Sequence, residues 1–497
     1  MTEPCDLTAV AARRLIGQKR LSPVELLRSC IGRAEAVDHA VNALVARDFA
    51  RASQAAQRAE QAVMQGDALP ALHGLPVAIK DLEDAEGLPN SQGSPIFRDS
   101  VPARDQRSVG AVRAAGAIVI GKSNVPEFGA GANSRNAVYG ATGNPFDPTK
   151  SAAGSSGGSG VALACGMVPI ATGSDTGGSL RNPAAFNGVV GFRPTPGLVA
   201  TEKPQFGFSP LSVLGPMARN VGDACLLLSA MVSDDKRDPL ATTIHGRRVR
   251  RAEDFAAPAE IDLSCLRVAL TPDFGCAPTE RHIAEVFAEK TALFRSVFAR
   301  ADDAAPDCTG ADESFEVLRS LGYPPKHAEN IRTRPQDLGP NIHANYEEAL
   351  RYSAVDVGRA LKTQTEHYRR WQAFFDGYDV VLSPSITTSP RAWTELYPAE
   401  IDGKPTRTYF HWLALAYYVT LAGHPAVSLP VGLDRNGMPF GLQIVGPRGG
   451  DAYVLAVAAA LERLLAGDAR TARPVPDIAR LRAAPRIADM PGFMGFG

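Results

Sequence analysis

An α/β fold, a large central mixed sheet covered on both sides by helices, is the architecture this sequence predicts. Short apolar runs that end in polar or glycine residues recur along it: "LPVAIKD", "AIVIGKSN" and "MVPIATGSD". They alternate with helix-like segments such as "SVGAVRAAG" and "GGSGVALACG". Strands buried on both faces read as continuous apolar runs, and their alternation with helices marks an α/β sheet. The chain has 497 residues, 45% hydrophobic and 21% charged, enough for one large folded unit of this kind.

Residues 1–66 read as an N-terminal helical layer of the same domain. In "LSPVELLRSCIGRAEAV", Ser22 is placed to cap a helix whose first position is Pro23. "RASQAAQRAEQAVMQG" reads as a second amphipathic helix, ended by Gly66. Residues 67–497 carry the sheet, with a less regular insertion at about 235–375. There, loop-like stretches such as "PDFGCAPTE" and "ADDAAPDCTGADES" separate helices. The sheet is expected to resume with "YDVVLSPS", "PAVSLPVGL" and "PFGLQIVG". The apolar "AYVLAVAAALERLLAG" contains Glu462 and Arg463. It is too short and too charged to span a bilayer and reads as a packed helix.

Composition narrows the partners. A formal net charge of −1 favours neither a nucleic-acid backbone nor an anionic membrane surface. The start, "MTEPCDLTAVAARRL", has no basic n-region followed by an apolar h-region, so a cytoplasmic protein is expected. The seven cysteines are odd in number and lack C-x-x-C spacing, which reads as reduced thiols. The nine histidines show no metal-ligand spacing, and neither a metal nor a cofactor is expected.

Two motif matches fail on context. "GAIVIGKS", residues 116–123, fits the phosphate-binding pattern G-x-x-x-x-G-K-S, which would make this a nucleotide-binding protein. That pattern needs a loop with free N–H groups, whereas Ala117, Ile118, Val119 and Ile120 read as a buried strand. "GSSGG" fits a nucleophile elbow around Ser156, but the preceding "NPFDPTKSAA" is proline-punctuated and polar, not a strand. A different base remains. Lys80 closes "GLPVAIK", and burial of an amine lowers its pKa towards neutrality, where it can act as a general base on serine. Lys122 ends "AIVIGK" in the same way, and local pattern does not choose between them.

The combination with two Ser/Gly clusters resembles the amidase-signature hydrolases, from about "LSPVELL" through "GLQIVGP" and most densely from "GLPVAIKD" to "GFRPTPGLVA". That family uses a Ser–cis-Ser–Lys triad. The resemblance implies Lys80 as the base, Ser155 of "GSSGG" as the bridging serine after a cis peptide, and Ser179 of "DTGGS" as the nucleophile. It also implies an oxyanion hole at Thr176, Gly177 and Gly178, with the two glycines bringing bare backbone N–H groups beside the nucleophile. Ala153 stands where the family usually has a second glycine. Asp175 and Arg181 are expected to form a charge network that holds the loop, and Asp81 to be structural.

The implied reaction is hydrolysis of a carbon–nitrogen acyl bond in an amide, anilide or carbamate (urethane). Phe128, Phe206, Phe208, Phe410, Trp412 and Tyr417 are the candidates to line an apolar acyl or leaving-group pocket, which points to an apolar or aryl small molecule as partner. A monomer or homodimer is expected, without nucleic acid or membrane. An alternative within the family is the glutaminase subunit of a tRNA-dependent amidotransferase, which needs partner subunits and a polar pocket.

Overall fold

The computed structural model describes residues 3–202, 206–232, 235, 237–241, 243–244 and 247–494. Its centre is an 11-stranded mixed sheet. In chain order the strands are β1 (Leu44–Arg47), β2 (Pro76–Lys80), β3 (Ile118–Ser123), β4 (Ile170–Asp175), β5 (Val190–Arg193) and β6 (Val213–Ala218). They continue with β7 (Arg267–Leu270), β8 (Arg300–Asp303), β9 (Val380–Pro384), β10 (Ala426–Leu433) and β11 (Pro439–Val445). In space they lie in the order β1-β3-β2-β4-β6-β5-β10-β11-β9-β7-β8. β2 runs parallel to both of its neighbours, β3 and β4.

Alternation along β2 shows how the layers form. Successive side chains of a strand point to opposite faces. Val77 and Ile79 join the core built with the helices Val221–Met231 and Asp451–Leu465. Ala78 joins the opposite core with the helix Gly157–Ala164. All five residues of β2 are buried, so Lys80 is carried into the interior by the strand that it ends.

The expected helix ends are present. Ser22 Oγ accepts from Val24 N–H at 2.9 Å, Glu25 returns a bond to Ser22 N–H at 3.0 Å, and Pro23 begins the helix Pro23–Val41. The helix Phe49–Gln65 stops at Gly66, whose φ is +80°. The C-terminal apolar run forms the helix Asp451–Leu465, and Glu462 there accepts the N–H of Val221 at 3.1 Å. Among the described residues no helix is long and apolar enough to cross a membrane.

Two expectations need correction. The stretch 235–375 does more than insert: it adds β7 and β8, a parallel pair at one edge of the sheet, and five helices from Arg281–Ala292 to Ala354–Phe375. Positions 236, 242 and 245–246 of that stretch lie outside the described residues. At the other edge, the N-terminal layer contributes β1, which pairs antiparallel with β3. The nucleotide-loop pattern at 116–123 is, as its residues indicated, strand β3, buried throughout.

Gly158 sets the distance between helix and sheet. A Cβ there would lie 2.2 Å from Asn124 N and 2.7 Å from Ala43 O, both backbone atoms. Gly158→Ala is expected to destabilise the protein by about 3 kcal/mol through overpacking. Gly32, in an exposed helical turn with nothing within 4 Å, is the control. Gly32→Ala should stabilise by about 0.5–1 kcal/mol. Urea-unfolding midpoints of the two variants check both signs.

Candidate active site

Lys80 is fully buried, and its amine reaches three hydroxyls. Nζ lies 2.8 Å from Ser155 Oγ, 2.8 Å from Ser156 Oγ and 2.9 Å from Ser174 Oγ. Burial pulls its pKa down to about 7, against the opposing pull of Glu83 and Asp175. The supporting geometry follows from strand pairing. Thr172 and Ser174 sit two apart on β4, on one face. Thr172 Oγ1 accepts Lys80 N–H at 3.1 Å, and Ser174 reaches Nζ.

Lys122 ends a neighbouring strand yet has a different environment. Its Nζ donates to the Glu83 carbonyl at 2.5 Å and lies 3.4 Å from Asp81 Oδ1, with both side chains fully buried. It is a structural ion pair, and Asp81 is structural with it. Tertiary contacts thus separate two lysines that local pattern could not.

The two Ser/Gly clusters come together around Lys80. The Gly154–Ser155 peptide is cis. Ala153, the departure from the family pattern, adopts φ +57° and is buried, so its small side chain is accommodated where glycine is usual. The N–H of Ser156 donates to the carbonyl of Ser179 at 3.3 Å and joins the two loops. Ser179 is half-buried, and its Oγ has no hydrogen-bond partner among the described residues.

The loop that carries Ser179 is held by Asp175. Its carboxylate accepts Gly178 N–H at 3.0 Å and Leu180 N–H at 3.2 Å. Arg181 contacts it at 2.9 Å and Arg193 at 3.1 Å. Burial works against ionisation here, but the two guanidinium groups prevail and hold the carboxyl well below the usual range. Arg181 also reaches Gln443 Oε1 at 2.6 Å and Thr420 Oγ1 at 3.0 Å, which ties the loop to the far side of the sheet. The expectation for Gly178 changes accordingly: its N–H is committed to Asp175. Gly178 has φ +108°, and a Cβ there would meet Ala416 Cβ at 2.5 Å, so glycine is required for the turn. The N–H groups of Thr176 and Gly177 have no acceptor among the described residues.

Ser155, Ser174, Thr176, Gly177 and Ser179 open onto one cavity of about 540 Å³. Of the six aromatic candidates, Phe128, Phe206 and Phe410 line it. The other three do not. Phe208 is 83% exposed, Trp412 is buried with its Nε1 on the Tyr409 carbonyl, and Tyr417 is buried against Phe315 with ring centroids 4.4 Å apart. A wall that sequence reasoning missed comes from the 235–375 stretch: Phe315, Leu318, Arg319, Gly322 and Tyr323. Their spacing, i, i+3, i+4, i+7 and i+8, is that of one helix face and was present in "ESFEVLRSLGY".

A buried lysine with serine partners, two Gly/Ser loops and an 11-stranded sheet define an amidase-type serine hydrolase. The chain belongs to the Amidase family, whose model matches residues 25–455. The acylamidase of Rhodococcus erythropolis is 32% identical over 463 residues, which cover 92% of this chain and 95% of that protein. A glutamyl-tRNA(Gln) amidotransferase subunit from Anaeromyxobacter dehalogenans (strain 2CP-C) is 32% identical over 491 residues, covering 93% of this chain and 97% of its own. The fold is also that of a bacterial aryl acylamidase of the amidase-signature enzymes, with a TM-score of 0.83 at 24% identity, covering 98% and 99% of the two chains. This chain is therefore an amidase-signature hydrolase acting on carbon–nitrogen bonds other than peptide bonds.

The two lysines should differ in stability as they do in partners. Lys122→Met leaves Asp81 buried without its cation and is expected to cost about 3–5 kcal/mol. Lys80→Met removes hydrogen bonds to hydroxyls that can pair with one another, and should cost about 1 kcal/mol. Equilibrium urea unfolding of both variants makes the comparison.

Proposed function

We propose that this amidase hydrolyses a small apolar or aryl amide, anilide or carbamate through an acyl-enzyme on Ser179. Neutral Lys80 takes the proton of Ser155 as Ser155 takes that of Ser179. Ser179 Oγ then bonds to the carbonyl carbon. The developing oxyanion is met by the N–H groups of Thr176 and Gly177, a contact of the kind whose loss costs about 2.7–4 kcal/mol in transition-state energy. The carbon–nitrogen bond breaks as the amine receives the proton back from Lys80 through Ser155. Water, deprotonated by the same relay, then releases the acid and regenerates Ser179.

One observation carries this reading: a buried amine surrounded by hydroxyls, two of which, those of Ser155 and Ser174, line a cavity that also holds Ser179. The aromatic lining by Phe128, Phe315 and Phe410 supports an apolar or aryl group on the substrate. The similarity to an acylamidase supports an acyl amide. The relatives that are amidotransferase subunits carry the glutaminase alternative, in which the cavity would take glutamine and the chain would need partner subunits. The proposal also takes the enzyme to be cytoplasmic, consistent with seven unpaired cysteines, and to act as a monomer or homodimer without a cofactor.

Ser179→Ala is expected to abolish turnover of a chromogenic anilide, and a fluorophosphonate should label Ser179. An adduct on Ser156 alone would overturn the assignment.

A pH profile tests the base. Lys80 accepts a proton only when neutral, so kcat/KM should rise with pH through about 7 and level off above it. At pH 5 it should lie about 100-fold below the plateau. Burial holds His327, on the cavity wall, down at about 4, below this limb. His73→Gln should keep the same acidic limb. Its disappearance would assign the titration to that imidazole and remove Lys80 from the mechanism.

A further inference from the structure

The helical wall of the cavity holds a positive charge that the protein leaves without a counter-ion in contact. Arg319 lies one turn beyond Phe315 on the helix Ala311–Ser320, and both face the cavity. Its Nη1 donates to Asn345 Oδ1. Its Nη2 donates to the hydroxyls of Tyr409 and, at 3.1 Å, Tyr323. The guanidinium also lies 4.4 Å over the ring of Phe410. Every one of these partners is neutral. Among the described residues no carboxylate is within ion-pair distance of Arg319, and its Nε–H has no acceptor. Glu348 acts on it only from beyond that distance.

Removing a guanidinium from water without an anion is costly, and folded proteins ordinarily pair it. This one does so elsewhere, where Arg181 and Arg193 share Asp175. The two carboxylates that reach the cavity are engaged by other groups. Glu83 accepts from Ser108 Oγ and Gln106 Nε2 at 3.0 and 3.1 Å, and Asp238 accepts the N–H groups of Thr201 and Leu240, both at 2.9 Å. Lys326, with Nζ 4.9 Å from the ring centre of Phe128, adds a second cation to the same wall.

We propose that Arg319 is a specificity residue that binds a free carboxylate carried by the substrate, so that the preferred substrates are anionic amides. This rests on the amidase reading above. The helix also sets the reach. Phe315 Cζ lies 3.4 Å from where a Cβ on Gly177 would be, which places Phe315 beside the loop that carries Ser179. Arg319 is four residues further, roughly 6 Å along the helix. An acyl chain of glutaryl length spans that distance.

The test compares glutaryl 4-nitroanilide with pentanoyl 4-nitroanilide, in which a methyl replaces the carboxylate. Wild type should favour the glutaryl compound in kcat/KM by about tenfold or more, the range expected for a charge-assisted contact. Arg319→Gln should bring that ratio to about one, chiefly through KM, and Arg319→Lys should restore part of it. Calorimetric binding of glutarate, present in wild type and lost in Arg319→Gln, reads the site without turnover. If neither anilide is cleaved while glutarate still binds through Arg319, the hydrolytic reading fails and the carboxylate site stands. Equal or inverted preference in wild type, or glutarate affinity absent or unchanged in Arg319→Gln, overturns the proposal. Should Arg319→Gln fail to fold, the wild-type ratio and glutarate binding decide it.

Discussion

The burial of the Lys80 amine among hydroxyls is the constraint on which the rest of the site depends. An amine at the end of a fully buried strand loses its hydration and becomes easier to deprotonate. Hydroxyls compensate it with hydrogen bonds but bring no counter-charge, so its pKa stays lowered, to about 7. That arrangement requires serines from separate segments to converge. Ser174 comes from the adjacent strand, while Ser155 and Ser156 come from the turn before the helix Gly157–Ala164.

The surrounding charges are arranged so as to leave that amine unpaired. Asp175 faces Arg181 and Arg193, and its lone pairs are further used by Gly178 and Leu180. Asp81 faces Lys122. Asp175 and Asp81 are thus each held by cations other than Lys80, and Glu83, which also acts on Lys80, accepts from Ser108 Oγ and Gln106 Nε2. The Asp175 carboxylate also fixes the turn before Ser179: Gly178 N–H donates to it, whereas the N–H groups of Thr176 and Gly177 have no acceptor among the described residues.

Around this centre, the cavity is built from segments far apart in the chain. Its floor comes from the strand ends and Ser/Gly turns, and one wall from the helix Ala311–Ser320 and its continuation. Residues that look equivalent in sequence divide according to which side of that helix they meet. Phe410 faces the cavity, whereas Tyr417 stacks on the far side of Phe315 and bonds Asp312 at 2.5 Å. The Lys80 cluster and the aromatic wall therefore sit on different elements.

The sequence by itself determined the α/β class, the central strands β2, β3 and β4 and the capped N-terminal helices, and its two Ser/Gly clusters carried the family resemblance that implied Lys80, Ser155 and Ser179 as the candidate triad. These are local: apolar runs with defined ends, caps, and Gly/Ser motifs whose spacing survives in one dimension. Short strands such as β1, β7 and β8 were not legible. Four residues carry little periodic signal, and pairing with a distant neighbour is what makes them strands. Tertiary structure alone decided that Lys122 is an ion pair while Lys80 is not, that Gly178 serves Asp175, and that Phe208, Trp412 and Tyr417 lie off the cavity. The reason is the same in each case. A side chain's charge state and exposure are set by what packs against it in three dimensions, whether that partner is distant in sequence, as Asp81 is from Lys122, or one turn away, as Asp175 is from Gly178 and Tyr409 from Trp412.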